Sequence, residues 1–154
     1  MKLPPFLVMA AGLAAGLAGC PKSPDHALPA VAPGGHAHIA PHGGTLVALG
    51  EHSFNLELVR DGDLGKLSAY VLDGHAENFV RITLTSFEVV AIAGGERRPL
   101  VLRAVANSAT GETVGDTSQF EAQADWLKKV AKFPGSIPYL EIRGTTFQNV
   151  AFHL

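Results

Sequence analysis

The sequence contains a single cysteine, Cys20, among its 154 residues. Without a second thiol the chain forms no internal disulfide, and a metal site built from several cysteines is excluded. Basic runs are also missing, since 12 Lys and Arg residues oppose 14 Asp and Glu residues for a net charge of −2. Nucleic-acid binding requires clustered positive charge, so we expect no nucleic-acid partner.

Several common enzyme motifs are absent as well. The sequence has no Gly-x-Ser-x-Gly, no phosphate-binding loop, no His-Glu-x-x-His and no dinucleotide-binding glycine pattern. Serine and histidine occur, but no pattern places a nucleophile beside a base. We therefore expect that the protein is not an enzyme.

The N-terminal segment has the features of an export signal. Lys2 precedes an apolar stretch from Leu3 to Ala18, which is shorter than the roughly 20 residues of a membrane-spanning helix. The tetrad Leu17-Ala18-Gly19-Cys20 resembles the lipobox of bacterial lipoproteins. That resemblance implies cleavage before Cys20, removal of residues 1–19, and lipid on the Cys20 sulfur and amino group. An uncleaved membrane anchor with an incidental cysteine is the alternative.

Lipidation at Cys20 has three consequences. Two or more acyl chains hold a protein on a membrane firmly, whereas one chain binds only marginally. Position 21 is Pro and not Asp, a pattern that in lipoproteins favours the outer over the inner membrane. The only thiol is consumed, so any metal site must use imidazole, carboxylate or carbonyl groups.

Residues 20–40 are predicted to be a flexible tether. The segment is rich in Pro, Ala and Gly, has few large apolar residues, and shows no periodicity. Such a composition buries too little surface to offset the entropy lost on ordering. The folded domain is therefore expected at residues 41–154, held together by its apolar core alone.

Alternating apolar residues and turn signals predict a β-rich domain. Phe54, Leu56 and Leu58 alternate with Asn55 and Glu57, which places the latter two on a polar face. Residues 125–133 are the one helical candidate, with Asp125 as its cap. The expected class is an all-β antiparallel sandwich with one short helix. Strands are predicted at 45–49, 53–59, 66–72, 79–92, 97–105, 118–123, 137–143 and 146–152.

Histidines are concentrated near the start of the domain. His36, His38 and His42 lie within seven residues, and His52 follows shortly after. Neutral imidazoles bind Cu(II) and Zn(II), and the neighbouring glycines allow several of them to converge on one ion. His42 is the first ligand candidate because it adjoins the folded domain. The alternative is a solvated, histidine-containing tether, with Glu57 either a solvated strand residue or an oxygen ligand beside His42 or His52.

Four short motifs stand out near the start of the domain: Pro41-His42-Gly43-Gly44, Leu49-Gly50-Glu51, Leu56-Glu57-Leu58-Val59 and Ala69-Tyr70-Val71-Leu72-Asp73-Gly74. Together they are similar to a small exported domain of environmental bacteria. Relatives of this kind occur as lone lipoproteins, and also beside or fused to the periplasmic adaptor subunits of heavy-metal efflux pumps. The resemblance implies a β-sandwich and a role in metal handling. Relatives often carry a histidine just before the Leu-Glu-Leu of the third motif, where this chain has Asn55.

Two functions are therefore expected from the sequence. The first is a lipid-anchored, non-catalytic protein of the cell envelope that binds a divalent transition metal, Cu or Zn, or assists an efflux-pump subunit. The second is a non-catalytic structural lipoprotein whose strands or loops contact another envelope protein.

Overall fold

The computed structural model describes residues 38–154, and the expectations for residues 1–37, including Cys20 and His36, lie outside this part. Eight β-strands make up most of the described residues. They are β1 (Thr45–Leu49), β2 (Phe54–Asp61), β3 (Lys66–Asp73), β4 (Ser86–Ala93), β5 (Glu96–Ala104), β6 (Gln119–Gln123), β7 (Pro134–Ile142) and β8 (Thr145–His153).

The strands form one antiparallel sheet in the order β1-β2-β3-β6-β5-β4-β7-β8. Hairpins join β1 to β2, β2 to β3, β4 to β5 and β7 to β8, and β6 pairs with both β3 and β5. The sheet curls until the edge strands β1 and β8 approach each other. The rings of Phe54 on β2 and Phe147 on β8 lie 6.2 Å apart across this closure. The predicted all-β antiparallel class is confirmed.

The core fills the inside of the curled sheet. Leu56 and Leu58 of β2 are fully buried, as the alternation of that strand predicts. Phe120 of β6 is also fully buried and packs edge-on against Phe87 of β4, with ring centroids 5.2 Å apart. A buried side chain of this size contributes about 1.5 to 3 kcal/mol through the hydrophobic effect.

The predicted strand over residues 79–92 is only half formed. Regular pairing begins at Ser86, the first residue of β4. Before it, the Val80 N–H donates to the Val71 carbonyl of β3, whereas the Ile82 N–H donates to Thr117, just before β6. Because the hydrogen-bond partner changes from one segment to another, no continuous ladder forms here.

Of the predicted helix over residues 125–133, only one 3₁₀ turn forms, at Asp125–Lys128. Asp125 does not cap it, since the N-cap is Ala124 and no side chain caps the turn. The Asp125 carboxylate instead lies 3.3 Å from the Lys128 ammonium. Tertiary contacts replace a second helical turn, because the Arg60 Nε–H donates to the Leu127 carbonyl at 2.7 Å.

We predict that Phe120→Ala lowers the free energy of unfolding by about 3 to 5 kcal/mol, because it leaves a cavity that the sheet cannot close. Tyr139→Ala is the matched control, since Tyr139 is 49% exposed and its loss is expected to cost about 0.5 kcal/mol. Urea unfolding of both variants measures the difference. Equal losses would contradict the position of the core.

Candidate functional site

Glu57 lies on the face of β2 that the sequence predicts to be solvated, yet its side chain is 0% exposed. The prediction is wrong because the chain just before β1 covers this face. One carboxylate oxygen, Oε1, accepts the backbone N–H groups of His42 at 2.8 Å and Gly44 at 2.9 Å. The other, Oε2, lies 2.9 Å from Nδ1 of the His42 ring. Three partners compensate the removal of this carboxylate from water.

Gly44 makes this approach of the two segments feasible. A Cβ at position 44 would lie 2.5 Å from the Leu58 carbonyl oxygen and 2.7 Å from Cγ2 of Val59. Only a residue without a side chain therefore brings its N–H within reach of Glu57. We name the hydrogen-bonded group of His42, Gly44 and Glu57 the Glu57 clasp.

The His42 ring has a defined orientation. An ionised carboxylate only accepts hydrogen bonds, so a bond to ionised Glu57 requires a proton on Nδ1, and in a neutral ring the lone pair is then on Nε2. The ring stacks on Tyr70, with centroids 3.9 Å apart and an interplanar angle of 17°, and lies 5.6 Å from Phe79. A histidine that donates one ring N–H to a carboxylate has the arrangement found at many metal centres.

Three other imidazoles lie close together at the end of the sheet where β2 begins and β3 ends. The centroid of the His38 ring lies 6.2 Å from that of His52 and 5.9 Å from that of His75. His52 belongs to the turn between β1 and β2, and His75 to the turn that follows β3. We name His38, His52 and His75 the imidazole cluster. The sequence predicts His38 and His52 as ligands and does not single out His75, which the structure shows as an exposed turn residue beside His38.

The two turns that carry His52 and His75 are held against each other. The Asn55 side-chain amide donates to the carbonyls of Asp73 and Gly74, both at 3.0 Å. The Gly74 backbone packs so closely on the His52 carbonyl that a side chain at position 74 would overlap it. Asn55 is buried and engaged in these contacts, so it holds in place the two turns that carry His52 and His75.

The predicted ligands therefore separate into three groups. His38 and His52 come together, His42 contacts Glu57, and His36 lies outside the described residues. Glu57 partners His42 and not His52, which settles one alternative left open by the sequence. Within residues 38–154 no three His, Cys, Asp or Glu side chains are already arranged around a common point as a metal site requires.

The proximity of His75 to His38 was not predicted, because its neighbours Asp73 and Gly74 are common turn formers and indicate only a turn. A usable signal was present, since His52 and His75 each lie in a turn at the same end of adjacent antiparallel strands. Phe54, the first residue of β2, pairs with Asp73, the last residue of β3. Antiparallel pairing of β2 with β3 thus places these two turns side by side.

An open cleft of about 400 Å³ borders the Glu57 clasp. His42, Tyr70 and Phe79 contribute aromatic surface to it, and polar residues complete the lining. The Phe79 side chain is about half exposed there. The polar lining residues are Arg81, Asn107, Thr110, Glu112, Ser118 and Gln119.

Glu112 is the buried carboxylate of this cleft. Burial alone would raise its pKa, but hydrogen bonds from the Ser118 and Thr110 side chains and from the Ser118 N–H outweigh that effect. The pKa of Glu112 is consequently below its usual value. Arg81 adds a positive charge, with its Nε 3.8 Å from the carboxylate. Glu112 therefore stays ionised and internally satisfied, as a support for the cleft.

Comparison with known proteins adds no family assignment: no family model matches the chain, and no curated protein or solved structure is significantly similar to it. Within residues 38–154, no helix has both the length and the apolar character needed to cross a membrane.

We predict that Glu57→Gln changes the tautomer of the neutral His42 ring. A glutamine carbonyl still accepts backbone N–H groups, but its NH₂ then faces Nδ1 and requires an unprotonated nitrogen there. Nitrogen-15 NMR of the imidazoles is expected to show protonated Nδ1 in the wild type and protonated Nε2 in the variant. Glu141→Gln, at an exposed glutamate bonded to Tyr139, is the control. An unchanged His42 tautomer in Glu57→Gln would contradict the geometry.

Proposed function

We propose that this chain is a lipid-anchored protein of the bacterial cell envelope whose folded domain binds a divalent transition metal without catalysing a reaction. Lipid on Cys20 would hold it, in the outer rather than the inner membrane, and residues 20–40 would serve as its tether. The domain of residues 41–154, with its sheet closed as a sandwich, would present the metal site to the periplasm together with His38 from the end of the tether. Its role would be metal buffering or assistance to a cation-efflux subunit.

The observation that carries this proposal is the imidazole cluster. Two imidazoles on one ion, each with a metal–nitrogen distance near 2.0 to 2.1 Å, have ring centroids roughly 5 to 6 Å apart. The separations of His38 from His52 and from His75 are 6.2 and 5.9 Å. Each of these two pairs therefore has a separation close to that of two imidazoles on one ion, and side-chain rotation would have to bring the three nitrogens to one point. His52 and His75 are exposed, so such rotations meet little steric resistance.

The chemistry of the donors selects the class of ion. Imidazole nitrogen suits Zn(II), Cu(II) and Ni(II), whereas Mg(II) and Ca(II) prefer oxygen donors. Three histidines leave a fourth position open for water or for a ligand from another molecule. A site of this kind accepts and releases an ion more readily than a closed four-ligand structural site, which fits a buffer or a transfer protein.

A second candidate function is an interaction lipoprotein without a metal. The aromatic lining of the cleft favours it, because Tyr70 and the half-exposed Phe79 offer apolar surface to a partner. The two functions differ in what they require of the histidines, since only the first depends on the imidazole cluster.

We expect the full chain in detergent to bind one Cu(II) or Zn(II) ion, and His75→Ala to weaken that binding at least about tenfold, as the loss of a metal ligand should. Isothermal titration calorimetry measures the affinity. His153→Ala is the matched control, because His153 is an exposed histidine at the end of β8. Wild-type binding no tighter than that of a free peptide of residues 34–44 would contradict the proposal.

We also expect Cys20→Ser to abolish membrane attachment, because serine has no sulfur to carry the lipid. Labelled palmitate should enter the wild type and not the variant, and the variant should leave the membrane fraction after processing or accumulate as precursor. Ser23→Ala, three residues further on, is the control. Palmitate incorporation that survives Cys20→Ser would place the lipid elsewhere.

A further inference from the structure

We propose that Glu57 is a positioning residue for the metal site, because the Glu57 clasp holds the segment that delivers His38 to the imidazole cluster. This inference rests on the proposed metal-binding function. Glu57 itself contacts His42 and Gly44 and not the imidazole cluster. It acts through the backbone of residues 38–44.

The hydrogen bonds of the clasp fix this segment at two points. Glu57 binds the N–H groups of His42 and Gly44, and the Gly43 N–H donates to the Ala40 carbonyl at 3.1 Å to close a turn. Only Ile39 separates that turn from His38. The Ile39 side chain is 85% exposed, so it does not anchor the segment. The position of His38 therefore depends on the clasp and on its contacts with the other two imidazoles.

The alternative anchor is more distant along the chain. If the clasp opens, the first residue of the sheet is Thr45, seven residues from His38, whereas His42 is only four residues away. A longer free segment explores more space and must lose more conformational entropy when a metal recruits its histidine. The effective concentration of the His38 imidazole at the cluster falls accordingly.

Glu57 is also better placed for this role than for metal ligation. Its carboxylate is fully buried, and both oxygens are occupied by His42 and Gly44. His52 and His75 belong to turns that pack against each other through Asn55 and Gly74, independently of the clasp. His38 is thus the one member of the cluster whose position the clasp controls.

A double-mutant cycle on the full chain in detergent tests the inference, with Zn(II) as the probe. Glu57→Leu replaces the carboxylate by an apolar group of similar size and so removes every hydrogen bond of the clasp. It is expected to weaken Zn(II) binding about 10- to 100-fold, the range typical of residues that orient a ligand. In a His38→Ala background the same substitution should change the Zn(II) affinity less than about twofold, because the imidazole that the clasp positions is already absent. Equal weakening in both backgrounds would overturn the inference and indicate general destabilisation.

Glu121→Leu is the matched control, since Glu121 is a partly buried strand carboxylate that accepts hydrogen bonds from Lys66, Ser68 and Gln119. It should leave Zn(II) affinity unchanged. If Glu57→Leu fails to fold, Gly44→Ala replaces it. That variant keeps the carboxylate but forces the segment away from Leu58 and Val59, and it should lower the affinity in the same way.

A metal-free measurement separates failure of this inference from failure of the proposed function. Proton NMR of the wild type should show contacts from the His38 ring to the rings of His52 and His75, and Glu57→Leu should abolish them. Loss of these contacts in Glu57→Leu, together with no Zn(II) binding in the wild type, would support the clasp and reject the metal. Contacts that persist in Glu57→Leu would overturn the clasp, whatever the affinity.

Discussion

The site depends on one constraint, the placement of an ionisable carboxylate on a fully buried face of β2. Glu57 loses its hydration there, and the loss must be offset by donors within the protein. Two backbone N–H groups and the His42 ring supply them. The consequence extends beyond Glu57, because satisfying this carboxylate requires the chain before β1 to lie against the sheet. The segment that carries His38 is thereby held near the other histidines.

The sheet supplies the remaining order. Antiparallel pairing of β2 with β3 brings the turns of His52 and His75 to the same end, and the Asn55 amide joins them through two carbonyls. Strand β2 therefore has three roles. Its leucines fill the core, Asn55 bonds the turn after β3, and Glu57 bonds the segment before β1. Substitutions on its outer face should accordingly alter the imidazoles without disturbing the apolar core.

The strands and their hairpins were largely predictable, since the alternation in β2 and β3 and the turn sequences between strands are local signals. The burial of Glu57 was not, because a glutamate among leucines has the same local pattern whether water or another segment covers it. The proximity of His75 to His38 was not predictable for a similar reason, as it arises from strand pairing. The helix over residues 125–133 failed because tertiary contacts, such as Arg60 on the Leu127 carbonyl, satisfied the backbone after one turn.

The most direct test of the three-imidazole site is X-ray absorption at the zinc edge of the Zn(II)-loaded full chain. Three histidine nitrogens at about 2.0 to 2.1 Å, with imidazole multiple scattering, are the predicted result for the wild type. In His75→Ala the number of imidazole ligands should fall to two. A first shell made only of oxygen atoms, or an imidazole count that His75→Ala leaves unchanged, would contradict the site.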